Sequence, residues 1–287
     1  MNQTAQAYEQ LIKKFAGWGE TQSDIRAVIV LGSRARVHDH PADEWADLDV
    51  MFVTSLPERY LYQTDWLENI GKPWLSFLDS TPTGGEKERR ILFEGGLDVD
   101  LAVVPNRVAL ATVWLLRIQK SFPFLFQIPS LQRFRQKVIG FYDMVNRGIR
   151  VLLDKDGIAA YLKSAPVEHP SLPTESEFLE VVNNFWYNAV WTAKHLRRGE
   201  LWRAKSCCDG HMKWLLLQVI EWHAQVTKSC DTWHRGHFLE EWADSRAVNE
   251  LRVVYAHYDK DDLQRALIAT MDLFRWLAIG MAERLEY

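Results

Sequence analysis

The apolar positions change period along the chain. Tyr8, Leu11, Ile12 and Phe15 recur at helical spacing, so an amphipathic helix is predicted over residues 4–18, closed by Gly17 and Gly19. Val28, Ile29, Val30 and Leu31 form a continuous apolar run, read as a buried strand that starts near Asp24 and stops at Gly32-Ser33-Arg34. After a polar loop, Asp47-Leu48-Asp49-Val50-Met51-Phe52-Val53 alternates. Leu48, Val50 and Phe52 face a core, and Asp47 and Asp49 share the opposite face. Pro57 breaks the pattern, residues 65–70 read as a short helix, and residues 74–78 read as a strand followed by a turn over 80–85. Residues 89–93 and 97–104 flank Glu94-Gly95-Gly96 and predict a β-hairpin. In its second strand Asp98 and Asp100 share one face, and Leu97, Val99, Leu101 and Val103 the other.

From Asn106 the helical period takes over. Residues 107–119 read as a helix, 122–128 as an aromatic, proline-interrupted stretch, and 151–157 as a last strand and turn. Three prolines within 165–173 mark a domain boundary, so residues 1–165 and 166–287 are expected to form separate domains. Beyond it Thr174-x-x-Glu177 is a capping box, and Phe178, Val181, Val182, Phe185, Trp186 and Ala189 form an apolar stripe closed by Gly199. Long helices are predicted over 200–226 and 260–285, with a shorter one around 246–257. The fold class is therefore α+β: a mixed sheet flanked by helices, then an all-helical bundle.

Composition adds limits. The 287 residues are 47% apolar and 25% charged, which is a globular balance. A net charge of −4 argues against a nucleic-acid partner, which needs a basic footprint, and suits a small cationic substrate. Cys207, Cys208 and Cys230 are too few and wrongly spaced for a disulfide framework or a zinc site, so free thiols in the cytoplasm are expected. No apolar run approaches a membrane span. His234-x-x-His237 lacks a nearby glutamate and reads as loop histidines, and Trp186, Trp191, Trp202, Trp214, Trp222 and Trp276 fall at core-like helical spacing.

The chemistry concentrates between Val28 and Asp100. Two carboxylates on one strand face repel each other unless a cation lies between them. A Gly-Ser turn beside them lets phosphate oxygens approach backbone N–H groups. Asp47 and Asp49 are accordingly the candidate metal ligands, a third carboxylate is available from Asp98 or Asp100 on the hairpin strand, and Mg²⁺ with a nucleotide is the implied pair.

A Gly-Ser turn, then D-x-D on the next strand, then a third acid on a hairpin strand, resembles the DNA-polymerase-β-like nucleotidyltransferases. The resemblance narrows when the whole chain is read. Residues 31–35 (LGSRA), 47–50 (DLDV), Asp100-Leu101 with Pro105, 65–67 (DWL), 153–156 (LDKD), Phe185-Trp186 with Lys194, and the closing Ala282-Glu283-Arg284-Leu285 with Tyr287 are similar to the streptomycin-modifying aminoglycoside 6-adenylyltransferases. The likeness implies AMP transfer from ATP to an aminoglycoside hydroxyl. It also implies Mg²⁺ at Asp47 and Asp49, with Asp100 as metal ligand or base. Gly32, Ser33 and Arg34 would meet the triphosphate, Arg34 through charge-assisted hydrogen bonds. Lys205, or Lys213 on the same predicted helix, would neutralise phosphate charge. Glu94, Asp98, Glu180, Asp209 and Glu221 are the unranked candidates for binding guanidinium groups of the acceptor. Arg36 departs from the small polar residue expected there, and the chain ends at Tyr287, short of the tail usual in the family. A lincosamide acceptor, or a protein acceptor as in toxin–antitoxin modules, would keep the chemistry and change its target. A monomer or weak homodimer is expected.

Overall fold

A computed structural model describes residues 3–80, 87–121, 148–162 and 172–287. Residues 81–85 of the predicted turn over 80–85, the stretch 122–128 and most of the proline-rich boundary lie outside these residues, and Ser80 ends a strand. The chain divides into two compact units, Met1–Glu168 and His169–Tyr287.

The first unit is built on a six-stranded sheet of order β3-β4-β5-β2-β1-β6. The strands are β1 (Ile25–Leu31), β2 (Leu48–Thr54), β3 (Pro73–Ser80), β4 (Lys87–Phe93), β5 (Leu97–Pro105) and β6 (Ile149–Asp154). The sheet is mixed. β2 and β5 run parallel, and the other neighbours are antiparallel. The first helix, α1 (Gln3–Thr21), lays Tyr8, Leu11, Ile12 and Phe15 on one face of the sheet against Leu48, Val50 and Phe52. Phe15 meets Phe52 edge-on at 5.8 Å between ring centres. On the other face Ile29, Leu31, Met51 and Val53 are covered by Ala109 and Val113 of the helix α3 (Asn106–Ser121) and by Ile158. Double coverage explains why β1 reads as an unbroken apolar run rather than an alternating one.

Two expectations change here. Gly17 and Gly19 do not end α1, which continues to Thr21. A Cβ at Gly19 would stand 2.8 Å from a Val28 methyl, so this glycine serves the close approach of helix to sheet. Pro57 does not merely interrupt. It occupies the first turn of a short helix, α2 (Pro57–Tyr62), where its missing N–H costs nothing.

The hairpin forms as predicted, with Gly95 and Gly96 both at positive φ in its turn. Arg89, almost wholly buried, donates to the Tyr60 carbonyl and the Ser76 hydroxyl and ties α2 and β3 to β4. A one-turn helix, α4 (Ala159–Leu162), follows β6.

The second unit is helical: α5 (Glu175–Arg197), α6 (Leu201–Ser206), α7 (Met212–Lys228), α8 (Leu239–Trp242), α9 (Ser245–Val254) and α10 (Lys260–Leu285). The capping box forms, with the Thr174 hydroxyl accepting from the Glu177 N–H while Glu177 accepts from the Thr174 N–H at 2.8 Å. The continuous helix predicted over 200–226 is instead divided by a π-turn, Cys207–His211. Trp186, Trp222 and Trp276 pack against the core, but Trp202 and Trp214 are 73% and 58% exposed. Each lies two positions from a buried residue, Ala204 and Met212, and thus about 200° around the helix from it. No described helix is long and apolar enough to cross a membrane.

Candidate metal and nucleotide site

Parallel pairing of β2 with β5 sets Asp49 directly opposite Asp100. Paired residues share a sheet face, so both carboxylates project together, and Asp47, just before β2, joins them. One oxygen from each of the three lies within 4.8 Å of the others. Burial, then the charges of Asp47, Asp100 and Glu88, push the Asp49 carboxyl up to about 7. Burial also raises Asp47 and Asp100, Asp98 adding to the first and Arg90 opposing the second. A cation among them would remove the repulsion, and three hard oxygen donors suit Mg²⁺.

The turn after β1 is shaped around this cluster. Gly32 stands at φ +66°, and a Cβ there would come 2.3 Å from Asp49 Oδ2. Only glycine lets the backbone press against that carboxylate. Gly32–Ala35 is a single 3-10 turn in which the Ser33 carbonyl accepts from the Arg36 and Ala42 N–H groups. The Ser33 hydroxyl oxygen is buried and has no hydrogen-bond partner among the described residues. A buried hydroxyl without a partner is costly, and a ligand oxygen would satisfy it.

Arg34 is arranged differently from the expected phosphate fork. Its guanidinium donates to the Asp47 carbonyl at 2.9 Å and to the Ala46 carbonyl, and lies 3.4 Å above the Tyr8 ring. It braces the backbone that delivers Asp47, whose carbonyls precede the strand ladder and need donors. The Tyr8 hydroxyl donates to Asp98 at 2.7 Å, and burial with that carboxylate pushes its pKa up to about 12.

Two participants were not singled out from the sequence. Arg90 donates to Asp100 at 3.0 Å, to Glu88 at 2.9 Å and to Asp79 at 3.0 Å. Glu88 is buried, and burial with Asp100 nearby raises its pKa. The hairpin turn contained the signal: closing Phe93 on Leu97 fixes the register that puts Arg90 opposite Asp100.

Lys205 belongs to the second unit. Its ammonium donates to Asp209 and to the Ala256 carbonyl. Lys213 is buried and donates to the Cys208 carbonyl at 3.0 Å and the Thr270 hydroxyl at 2.9 Å, and burial lowers its pKa. Both expected phosphate lysines are thus engaged within the bundle. Of the acceptor candidates, Glu94 pairs with Lys72 at 2.9 Å, Glu180 is exposed, and burial pushes Glu221 up to about 7.

Three clustered carboxylates beside a glycine-serine turn are an arrangement that could serve nucleotidyl transfer. Comparison gives the family. The sequence model of the streptomycin adenylyltransferase family matches residues 5–287, and the chain belongs to that family of nucleotidyltransferase enzymes. It is 24% identical to an aminoglycoside 6-adenylyltransferase of Bacillus subtilis (strain 168), covering 97% of this chain and 91% of that one. A Campylobacter jejuni protein of the same name is 20% identical over 94% of this chain and 86% of its own length. A crystal structure of a Bacillus subtilis aminoglycoside 6-adenyltransferase aligns with a TM-score of 0.41 at 20% identity, over 97% of this chain and 90% of that one.

Proposed function

We propose that this enzyme transfers AMP from Mg²⁺-ATP to a hydroxyl of a cationic aminoglycoside, the 6-hydroxyl of streptomycin, and releases pyrophosphate. The observation that carries the reading is the Asp47–Asp49–Asp100 cluster against the Gly32 turn. Family membership supplies the acceptor class.

Asp47 and Asp49 would hold the metal, with Asp100 as a third ligand or as the base. When bound, Mg²⁺ supplies charge stabilisation to the triphosphate and the departing pyrophosphate. The protein does the rest. Ser33 gives the triphosphate its hydroxyl and the adjoining backbone, and Arg34 fixes the chain around Asp47. The acceptor oxygen bonds to the α-phosphorus while the bond from that phosphorus to pyrophosphate breaks. The hydroxyl proton passes to an Asp100 oxygen, and Arg90 keeps that carboxylate oriented.

Purified protein, ATP, Mg²⁺ and a panel of aminoglycosides, lincosamides and proteins provide the test. Pyrophosphate release with streptomycin is expected. Release only with a lincosamide or a protein moves the acceptor, and none with any of them rejects the proposal. Asp47→Asn and Asp49→Asn should each reduce turnover by about a thousandfold or more without unfolding the chain, since each removes a ligand charge.

A further inference from the structure

The face of the sheet that bears the acids does not end at β5. Antiparallel register carries it across two more strands, Asp100 lying opposite Arg90 on β4 and Arg90 opposite Phe77 on β3. The adjoining rung runs from Asp98 to Leu92 and on to Leu75. A third rung joins Ala102, Glu88 and Asp79, and its β2 member, Met51, is buried under α3. On the first two rungs Asp100, Arg90 and Leu92 are half-buried and the β3 residues are exposed. Phe77 and Leu75 are 51% and 50% exposed on an edge strand, and Asp98, two strands away on β5, is exposed too. Among the described residues Asp98 meets the Tyr8 hydroxyl and no cation.

The two flanks of the acid cluster differ in chemistry. The β1 flank offers the Gly32–Ala35 turn and the unsatisfied Ser33 hydroxyl, groups that suit phosphate. The β4–β3 flank offers carboxylates and an apolar shelf, with Arg90 its single positive charge on these rungs and already shared among Asp100, Glu88 and Asp79. A triphosphate is repelled by such a surface. A polycation with flat C–H faces is matched by it, because carboxylates take guanidinium groups in paired hydrogen bonds and apolar side chains cover ring faces. Strand spacing places Phe77 roughly 10 Å from Asp100, a reach of a few sugar rings.

We infer that the first two rungs of β5, β4 and β3 are the docking platform for the acceptor, with Asp98 taking a guanidinium or ammonium group and Phe77 with Leu75 supporting a ring. This rests on the proposed aminoglycoside acceptor. It gives the two substrates opposite sides of the acid cluster, as transfer between them requires.

Calorimetric titration with streptomycin and steady-state pyrophosphate release, on the wild type, Asp98→Asn and Phe77→Ser, test it together. The expected result is a rise of about tenfold in both Kd and KM for streptomycin in each variant, with KM for Mg²⁺-ATP within about twofold of wild type. Streptomycin affinity within about twofold of wild type in both variants overturns the platform. So does an equal rise in both KM values, which a purely structural role would give. So does a wild-type dimer that Phe77→Ser dissociates, which would assign the shelf to a second copy. Wild-type protein that binds streptomycin through these residues yet releases no pyrophosphate supports the platform and rejects the reaction.

Discussion

Asp49 concentrates the physics of the site. Its folded-state pKa of about 7 lies well above the ordinary carboxylate range, so between about pH 4 and 7 the folded protein holds a proton that the unfolded chain releases. Stability from this group is therefore complete at low pH and is lost as pH rises through that window. In chelator, Asp49→Asn should raise the melting temperature at pH 8 and change it little at pH 4, a difference on the order of 3 kcal/mol read by denaturant melts. Gly32 is the complementary case. Gly32→Ala puts a Cβ into the Asp49 carboxylate and holds a non-glycine residue at positive φ. Turnover should fall at least about a hundredfold, with about 1–3 kcal/mol of stability lost. The acids and the glycine were legible because each must be that residue type for a stated reason. Glu88 and Arg90 were not singled out, because their meaning comes from hairpin register rather than from local pattern. The bonds Arg34 makes to the Asp47 and Ala46 carbonyls were not legible, since those carbonyls belong to a loop without sequence periodicity.

Among the elements, those with capping and periodic signals were the readable ones. The Thr174 box starts α5 where the motif places it, and Thr174→Ala should cost the second unit about 1 kcal/mol in urea melts. The π-turn left no such signal: inserting one residue into a helical turn preserves composition and shifts only the facing of the downstream residues. On α7, Glu221 is raised to about 7 by burial alone. The sign matches that of Asp49, so Glu221→Gln should stabilise the protein above pH 7 and leave it unchanged near pH 4. A gain on the order of 1 kcal/mol, discounted for its partial exposure, is expected from melts at the two pH values. An unchanged difference between wild type and variant across that range would show that Glu221 takes up its proton alike in the folded and unfolded chain.

For the whole chain, two compact units with separate cores imply that a ligand of one should be felt first by that one. Millimolar Mg²⁺ should raise the melting of the sheet unit, and Asp47→Asn should abolish the rise in a calorimetric scan. The two-part plan was visible in the change from strand period to helix period, because each core imposes its own repeat. Sheet order was not, since nothing local states which strand will lie beside β2. That neighbour is β5, and the pairing is parallel. A parallel partner cannot be reached by a tight turn, so the chain must first make α2, β3 and β4 and come back. A growing polypeptide that has emerged only as far as β2 already possesses the glycine turn and two of the three acids. It still lacks the strand that brings the third acid alongside, so any cation site the three acids could form would be complete only once β5 has paired.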